Sequence, residues 1–376
     1  MPGPLAGLKV LEIAALGPAP FAGMLLADMG AEVLRIDRPG GGGVKPVSGR
    51  FDVTSRGRKS VLLDLRTADG VEACLALIAA ADVLIEGFRP GVMERLGLGP
   101  DPALQANPRL VYGRMTGWGQ EGPLAQAAGH DINYVALSGA LHAIGPADRP
   151  VPPLNLVGDY GGGALYLVMG VLAAVISASS NGRGQVVDAA MTDGAASLMS
   201  LFYGLHAAGV WRDRREANVL DGAAPFYGVF QCADGGWISL GPFEPQFHDV
   251  LVDRLGLDPQ LFARRLDPAT WPDLRARVAA VVATRTREDW REALESTEVC
   301  FAPVLSLTEA PAHPHNRARG TFVEIDGVTQ PAPAPRFSET PCPTPSPPPR
   351  EGEHGAGALV SWGVDPALAA RAALPA

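Results

Sequence analysis

Residues 8–37 read LKVLEIAALGPAPFAGMLLADMGAEVLRID. An apolar run, Val10-Leu11-Glu12-Ile13, precedes Gly17-Pro18; a longer apolar stretch follows from Phe21 to Met29, then a second short run, Val33-Leu34-Arg35-Ile36. Two short runs around a helix-length segment, separated by Gly-Pro, read as strand, loop, helix, strand. The segment is one βαβ unit.

The pattern repeats downstream, with strand Val61 to Leu65, helix Gly70 to Ala81, strand Val83 to Ile85, helix Gly91 to Leu96 and strand Leu110 to Met115. Alternation of this kind predicts a parallel sheet covered by helices, so the fold class is α/β with a Rossmann-like large domain. Gly17 to Gly23 does not match the G-x-G-x-x-G fingerprint by which a backbone approaches a dinucleotide pyrophosphate, which disfavours an NAD site. Asp37 stands where a ribose-binding acid would, but Arg35 and Arg38 flank it and favour phosphate instead.

Helices are expected from Asp131 and from Asp159, a strand at Val186 to Asp188, and one long helix from Thr192 to Ala208. The apolar stretch Ala164 to Ile176 falls short of the roughly 20 residues needed to cross a bilayer and reads as a buried helix. Phe226 to Gln231 and Trp237 to Leu240 flank Ala233-Asp234-Gly235-Gly236, a hairpin signal that opens a smaller α+β domain. Gln330 to Arg350 is dense in proline and reads as an extended strap, after which Leu359 to Leu374 docks back. The expected organisation is a large domain over 1–186, linker helices over 187–224, a small domain over 225–310, a return linker over 311–330 and a C-terminal strap and helix over 331–376.

Composition narrows the function. Over 376 residues, 47% are hydrophobic and the net charge is −9, which fits a globular protein with sizeable cores and argues against nucleic acid as a partner. The four cysteines lack C-x-x-C spacing, so neither a metal site nor a disulfide framework is expected. No signal-peptide pattern is seen, and a cytoplasmic, membrane-free protein is expected.

Three segments carry candidate chemistry. In Gly129-His130-Asp131-Ile132-Asn133-Tyr134 a histidine and an aspartate open an apolar helix, where Asp131 alone would serve as a cap. In Asn155-Leu156-Val157-Gly158-Asp159-Tyr160-Gly161-Gly162-Gly163 a carboxylate stands at a helix start. N-capping explains the acid, while three glycines, each costly in a helix, suggest a ligand close to the backbone. Glu244, in Gly241-Pro242-Phe243-Glu244-Pro245, is compatible with a simple first-turn charge. Arg35, Arg38, Arg56, Arg58, Lys59, Arg66, Arg89 and Arg95 cluster where the carboxyl ends of the parallel strands should lie, which suits an anionic ligand in the crevice beside the sheet.

Together with Gly3 to Val10, Arg35 to Pro39, Asp82 to Gly91 and Met115 to Gln120, these segments resemble the α-methylacyl-CoA racemases of the family III CoA-transferase superfamily over nearly the whole chain. The resemblance implies that His130 and Asp159 are the two catalytic bases and that Glu244 hydrogen-bonds the histidine. It implies a CoA site lined by Arg38, Leu63, Asp64, Leu65, Arg66, Gly87, Phe88, Arg89, Arg95, Gly129, Asp131, Ile132, Asn133 and Tyr134. It also implies an interlocked homodimer, a 2-methylacyl-CoA substrate, and no cofactor beyond the CoA of that substrate. The expected reaction exchanges the C2 proton through an enolate, for which the Asp159 and Tyr160 amides are the candidate donors. The alternatives are a family III CoA transferase with Asp159 as nucleophile, and a CoA-binding protein without turnover.

Overall fold

A computed structural model describes residues 3–40 and 47–376. The chain forms two compact units, one made of the chain up to Ser138, Leu154–Leu198 and Gly320–Ala376, the other of Gly139–Pro153 and Met199–Arg319.

The first unit begins with β1 (Lys9–Ile13), α1 (Pro18–Asp28), β2 (Glu32–Asp37), β3 (Arg58–Leu63), α2 (Ala68–Ala80), β4 (Val83–Glu86), α3 (Val92–Arg95), α4 (Pro100–Ala106), β5 (Val111–Thr116) and α5 (Asp131–Leu137). A short α6 (Ala140–Ala143) lies in the other unit, and the first resumes with a π-helical segment, Leu156–Ala164, then α7 (Leu165–Asn181), β6 (Gln185–Ala190) and α8 (Met191–Leu198). The strands pair in the order β3-β2-β1-β4-β5-β6, all parallel. This is the 3-2-1-4-5-6 arrangement of doubly wound sheets, with its switch point between β1 and β4.

Alternate side chains of each strand enter different cores, as a two-residue repeat dictates. Leu11 and Ile13 join α2, α4 and the C-terminal helices, whereas Val10 joins α1 and α7 on the opposite face. Local chemistry sets the helix starts. Gly17 has φ +74, which only glycine adopts without strain, and it leads into Pro18 at the first turn of α1; the Thr67 hydroxyl accepts the Gly70 amide at 3.1 Å and caps α2.

Several expectations are corrected. Together with the π-helical segment, α7 forms a 26-residue helical run, Leu156–Asn181, with an 18-residue stretch of mean hydropathy 1.9, long and apolar enough by length and composition to cross a bilayer. It is buried on one side only: Leu167 and Val171 pack on β5, where Gly113 leaves room for them, while Leu165, Met169 and Ile176 are exposed. The helix expected over Thr192 to Ala208 is two helices, α8 and a second at Ser200–Ala207, which fall in different units. Finally, β3 acquires an antiparallel neighbour, Ala373–Leu374, too short for periodicity to reveal.

The proline-rich strap expected over Gln330 to Arg350 is corrected at its start, where Gln330 and Pro331 belong to strand Val328–Pro331, paired antiparallel with Phe322–Ile325. From 341 to 350 it carries neither helix nor strand, and the Gly57 amide donates to Ser346 O at 3.0 Å. Beyond it the helices Gly355–Ser361 and Pro366–Ala372 pack in the core against α2 and β3. In the second unit the expected hairpin is present, with Gln231 opposite Trp237, and a third strand, Phe301–Val304, completes a small antiparallel sheet.

Candidate active site

The carboxyl ends of β1, β2 and β4 open onto a cleft of about 650 Å³ at the switch point. Its walls include Ala14 to Gly17, Arg38, Gly87 and Phe88, with Asn155 and Tyr160 contributed by the π-helical segment. The Tyr160 ring stacks on Phe21 of α1 at 4.2 Å between centroids. Gly17 brings the β1 loop against Asp159, since a Cβ there would stand 3.4 Å from Asp159 Oδ2.

Asp159 lies in the first turn of the π-helical segment, whose N-cap residue is Asn155 rather than Asp159. Its amide donates to Asp131 Oδ1 at 2.7 Å, and Asn155 Nδ2 donates to its Oδ2 at 3.2 Å. Burial holds the Asp159 carboxyl above its ordinary value; the Asn155 bond and the nearby charge of His130 pull it down, and the charge of Asp131 pushes it up. Asp131 reaches the turn because Gly158 has no side chain: a Cβ there would overlap the Asp131 carboxylate.

This arrangement overturns two expectations. The candidate enolate donors are already engaged, the Asp159 amide with Asp131 and the Tyr160 amide with Asn155 O at 3.2 Å. Nor do the three glycines admit a ligand. A Cβ on Gly162 would meet the Ala195 amide of α8 at 2.5 Å, one on Gly163 would meet Met191 at 2.9 Å, and one on Gly161 would meet Leu156 O at 2.9 Å. They are small because helix and turn backbones approach them.

His130, not Asp131, is the N-cap residue of α5, and its own amide donates to Asn133 Oδ1 at 3.1 Å. The His130 side chain is exposed, as are Ile132 and Asn133, whereas Tyr134 is buried edge-on against Trp118 at 4.6 Å. Gly129 and Gly117 leave no space for a Cβ beside that aromatic pair, which fixes the chain entering His130. Glu244 belongs to the second unit, where it is the N-cap of helix Pro245–Leu255.

The basic cluster divides. Arg35 pairs with Asp37 at 2.9 Å, Arg56 with Asp28 at 2.6 Å and Arg58 with Glu12 at 2.7 Å, all six side chains buried. The phosphate role read for Arg35 therefore fails, because its guanidinium also donates to Ser55 Oγ at 2.6 Å and is held in the floor of the cleft. Lys59 pairs with Glu32 at 3.0 Å. Arg38, Arg66, Arg89 and Arg95 are exposed, although Arg66 holds Asp64 at 2.9 Å. Leu65, Arg66 and Arg95 line a second, shallower cleft of about 620 Å³. The Leu63 side chain is fully buried in the core and presents nothing to either cleft. Asn155 was not anticipated, although its place one turn before Asp159 offered a signal.

Comparison with known proteins adds a family to this geometry. The profile of CoA-transferase family III matches residues 5–355. The α-methylacyl-CoA racemase of Mus musculus is 44% identical over 340 residues, covering 90% of this chain and 87% of the relative. The Homo sapiens α-methylacyl-CoA racemase is 40% identical over 341 residues, with the same coverage of 90% and 87%. Among solved structures, a CAIB/BAIF family protein from Brucella suis superposes with a TM-score of 0.83 at 26% identity, covering 96% of this chain and 100% of that one.

Proposed function

Since this chain belongs to CoA-transferase family III, we propose from that premise that it is a racemase interconverting the 2R and 2S forms of 2-methylacyl-CoA thioesters. The observation that carries the reading is the electrostatic pairing of two different acid/base groups: the partly buried, raised carboxyl of Asp159, which lies against the Gly17 wall of the cleft, is within electrostatic reach of His130. A racemase takes a proton from one face of C2 and returns one to the other, so it needs two such groups. A carboxylate is an ordinarily weak base, and burial strengthens it.

His130 takes the C2 proton of the S substrate and Asp159 that of the R substrate, each returning a proton to the product of the other. Negative charge then develops on the thioester oxygen. With the Asp159 and Tyr160 amides engaged, the first-turn amides of α5, those of Asp131 and Ile132 next to His130, are the donors that fit, because the first N–H groups of a helix lack internal acceptors. Arg38, Arg89 and Arg95 hold the CoA phosphates, with the Gly87-Phe88 wall beside them. Nucleophilic attack by Asp159, the CoA-transferase chemistry, needs the same ionised carboxylate but no second base, so it leaves His130 without a role.

We read the assembly as an interlocked homodimer, in which a partner would cover the exposed outer side of α7 and Glu244 would hydrogen-bond His130. The decisive test incubates the protein with a pure (2R)-2-methylacyl-CoA in deuterated water. Epimerisation with deuterium at C2 is expected. Reaction only after a carboxylate acceptor is added would reassign the protein as a transferase, and no reaction in either case as a binding protein.

A further inference from the structure

Beneath the loop that follows β4, three charged side chains from three elements form one chain. Glu86, the last residue of β4, is fully buried, and its two oxygens serve different partners: Oε2 accepts the Phe88 amide at 2.7 Å and Oε1 accepts Arg114 Nε at 2.9 Å. Arg114 lies opposite Glu86 in the β4–β5 register. The rest of its guanidinium turns the other way, Nη1 and Nη2 donating to the two oxygens of Glu94 at 2.8 and 3.3 Å. Glu94 sits on α3, and the next residue is Arg95. One planar guanidinium thus joins the Gly87-Phe88 wall of the first cleft to the helix that carries Arg95 into the second.

The tether matters because α3 is a single turn of four residues, and a helix of one turn does not hold itself in water. Its position must come from contacts outside it. Arg114 supplies two charge-assisted hydrogen bonds, and Gly99, where a Cβ would meet Glu94 Cγ at 2.8 Å, allows the chain to close over the Glu94 stem.

We propose that Arg114 is a positioning residue which, through Glu86 and Glu94, fixes the spacing of the two clefts so that they act as one site for an extended CoA group. The identity of that ligand rests on the racemase reading above.

The test uses the full-length protein. Glu94→Ala cuts the tether at its more exposed end and leaves the buried Glu86–Arg114 pair intact. CoA affinity measured by calorimetry should fall by about 3- to 10-fold, the effect of unfixing one long side chain before binding. KM for the acyl-CoA should rise by a similar factor with kcat moving much less. Glu94→Gln, which keeps one neutral acceptor, should fall between Glu94→Ala and the unmodified protein. Arg95→Ala should cost less affinity in the Glu94→Ala background than alone, because an untethered Arg95 already contributes less. Unchanged CoA affinity in a folded Glu94→Ala protein, or full additivity with Arg95→Ala, overturns the tether while leaving the racemase reading intact. If the unmodified protein does not bind CoA at all, the ligand reading fails and takes this role for Arg114 with it.

Discussion

The backbone amide of Asp159 donates to Oδ1 of Asp131 at 2.7 Å, so the residue after one candidate base holds the backbone of the other. Asp131 acts on Asp159 in two ways, as an anchor and as a nearby negative charge that raises its pKa. The two separate by mutation. Asp131→Asn keeps an acceptor oxygen and removes the charge, so the pH at which Asp159 gains its proton should move down toward the ordinary range. Asp131→Ala also removes the anchor, and a displacement of about 1 Å can cost on the order of 10²-fold in rate. Initial rates from the R substrate, measured across pH, should therefore rank the unmodified protein above Asp131→Ala by one to two orders of magnitude at every pH.

The raised carboxyl of Asp159 also carries a stability cost. The folded state holds this proton more tightly than the unfolded chain does, so stability declines as pH rises from the unfolded value near 3.8 through the higher folded value, and stays reduced above it. Asp159→Asn cannot ionise, and its oxygen can still accept from Asn155. Thermal melts should show Asp159→Asn more stable than the unmodified protein at neutral pH, with the difference vanishing below pH ~3.8. An Asn variant that melts lower at neutral pH would mean that the ionised carboxylate is held by bonds that outweigh its burial.

The glycines of the π-helical segment make a separate claim about packing. A Cβ on Gly194 of α8 would overlap Gly162 O, a backbone atom that cannot swing aside. Gly194→Ala should therefore destabilise the protein by roughly 1–3 kcal/mol, the usual scale for overpacking. A variant with an unchanged melt and a raised KM would return these glycines to the role of ligand approach.

Which features were legible in the sequence follows from which forces act locally. The βαβ pattern from Val10 to Ile36 was readable because periodicity and Gly17-Pro18 agree with the final fold. The start of β3 was hidden by Arg58 and Lys59, which look like surface charges until Glu12 and Glu32 are found beside them. Likewise the role of Arg56 depended on Asp28, an acid brought up by tertiary packing, which a linear count of cations cannot see. The break between Leu198 and Ser200 has no proline or glycine to mark it, and the π-helical turn around Asp159 leaves the apolar pattern intact. His130, Asp159 and Glu244 were candidates from their own segments, and the resemblance gave them their roles. What the structure adds is the contact of Asp159 with Asp131 and Asn155.

The second unit has its own acid sensitivity. His248 is buried between the rings of Phe226 and Phe262, and burial, then the charge of Arg265, lowers its pKa to about 4. The unfolded chain takes up this proton near pH 6.5, so stability is full above that value and is lost as pH falls from about 6.5 toward 4. Replacing the ring with one that does not titrate, His248→Phe, should flatten the loss of melting temperature over that interval. Parallel pH curves for the two proteins would show that His248 does not drive it.

The assignment of each base to one face of C2 gives the most discriminating prediction. If His130 removes the proton of the S substrate and Asp159 that of the R substrate, inversion needs both, so His130→Ala and Asp159→Asn should each slow epimerisation by ~10²- to 10⁴-fold, about 3–5 kcal/mol of barrier. Exchange without inversion needs only one. In deuterated water His130→Ala retains Asp159 and should still wash the C2 hydrogen out of the R substrate, whereas Asp159→Asn should do so only with the S substrate. Their pH profiles should differ too, since residual exchange in His130→Ala follows the raised Asp159 carboxyl and fails as pH falls through a value above the ordinary aspartate range. Mass spectrometry of each recovered enantiomer reads both quantities. Opposite preferences assign the bases, and identical losses for both enantiomers in both variants would move His130 and Asp159 from proton transfer to substrate binding or enolate stabilisation. Epimerisation near the unmodified rate in either variant would remove that residue from the mechanism.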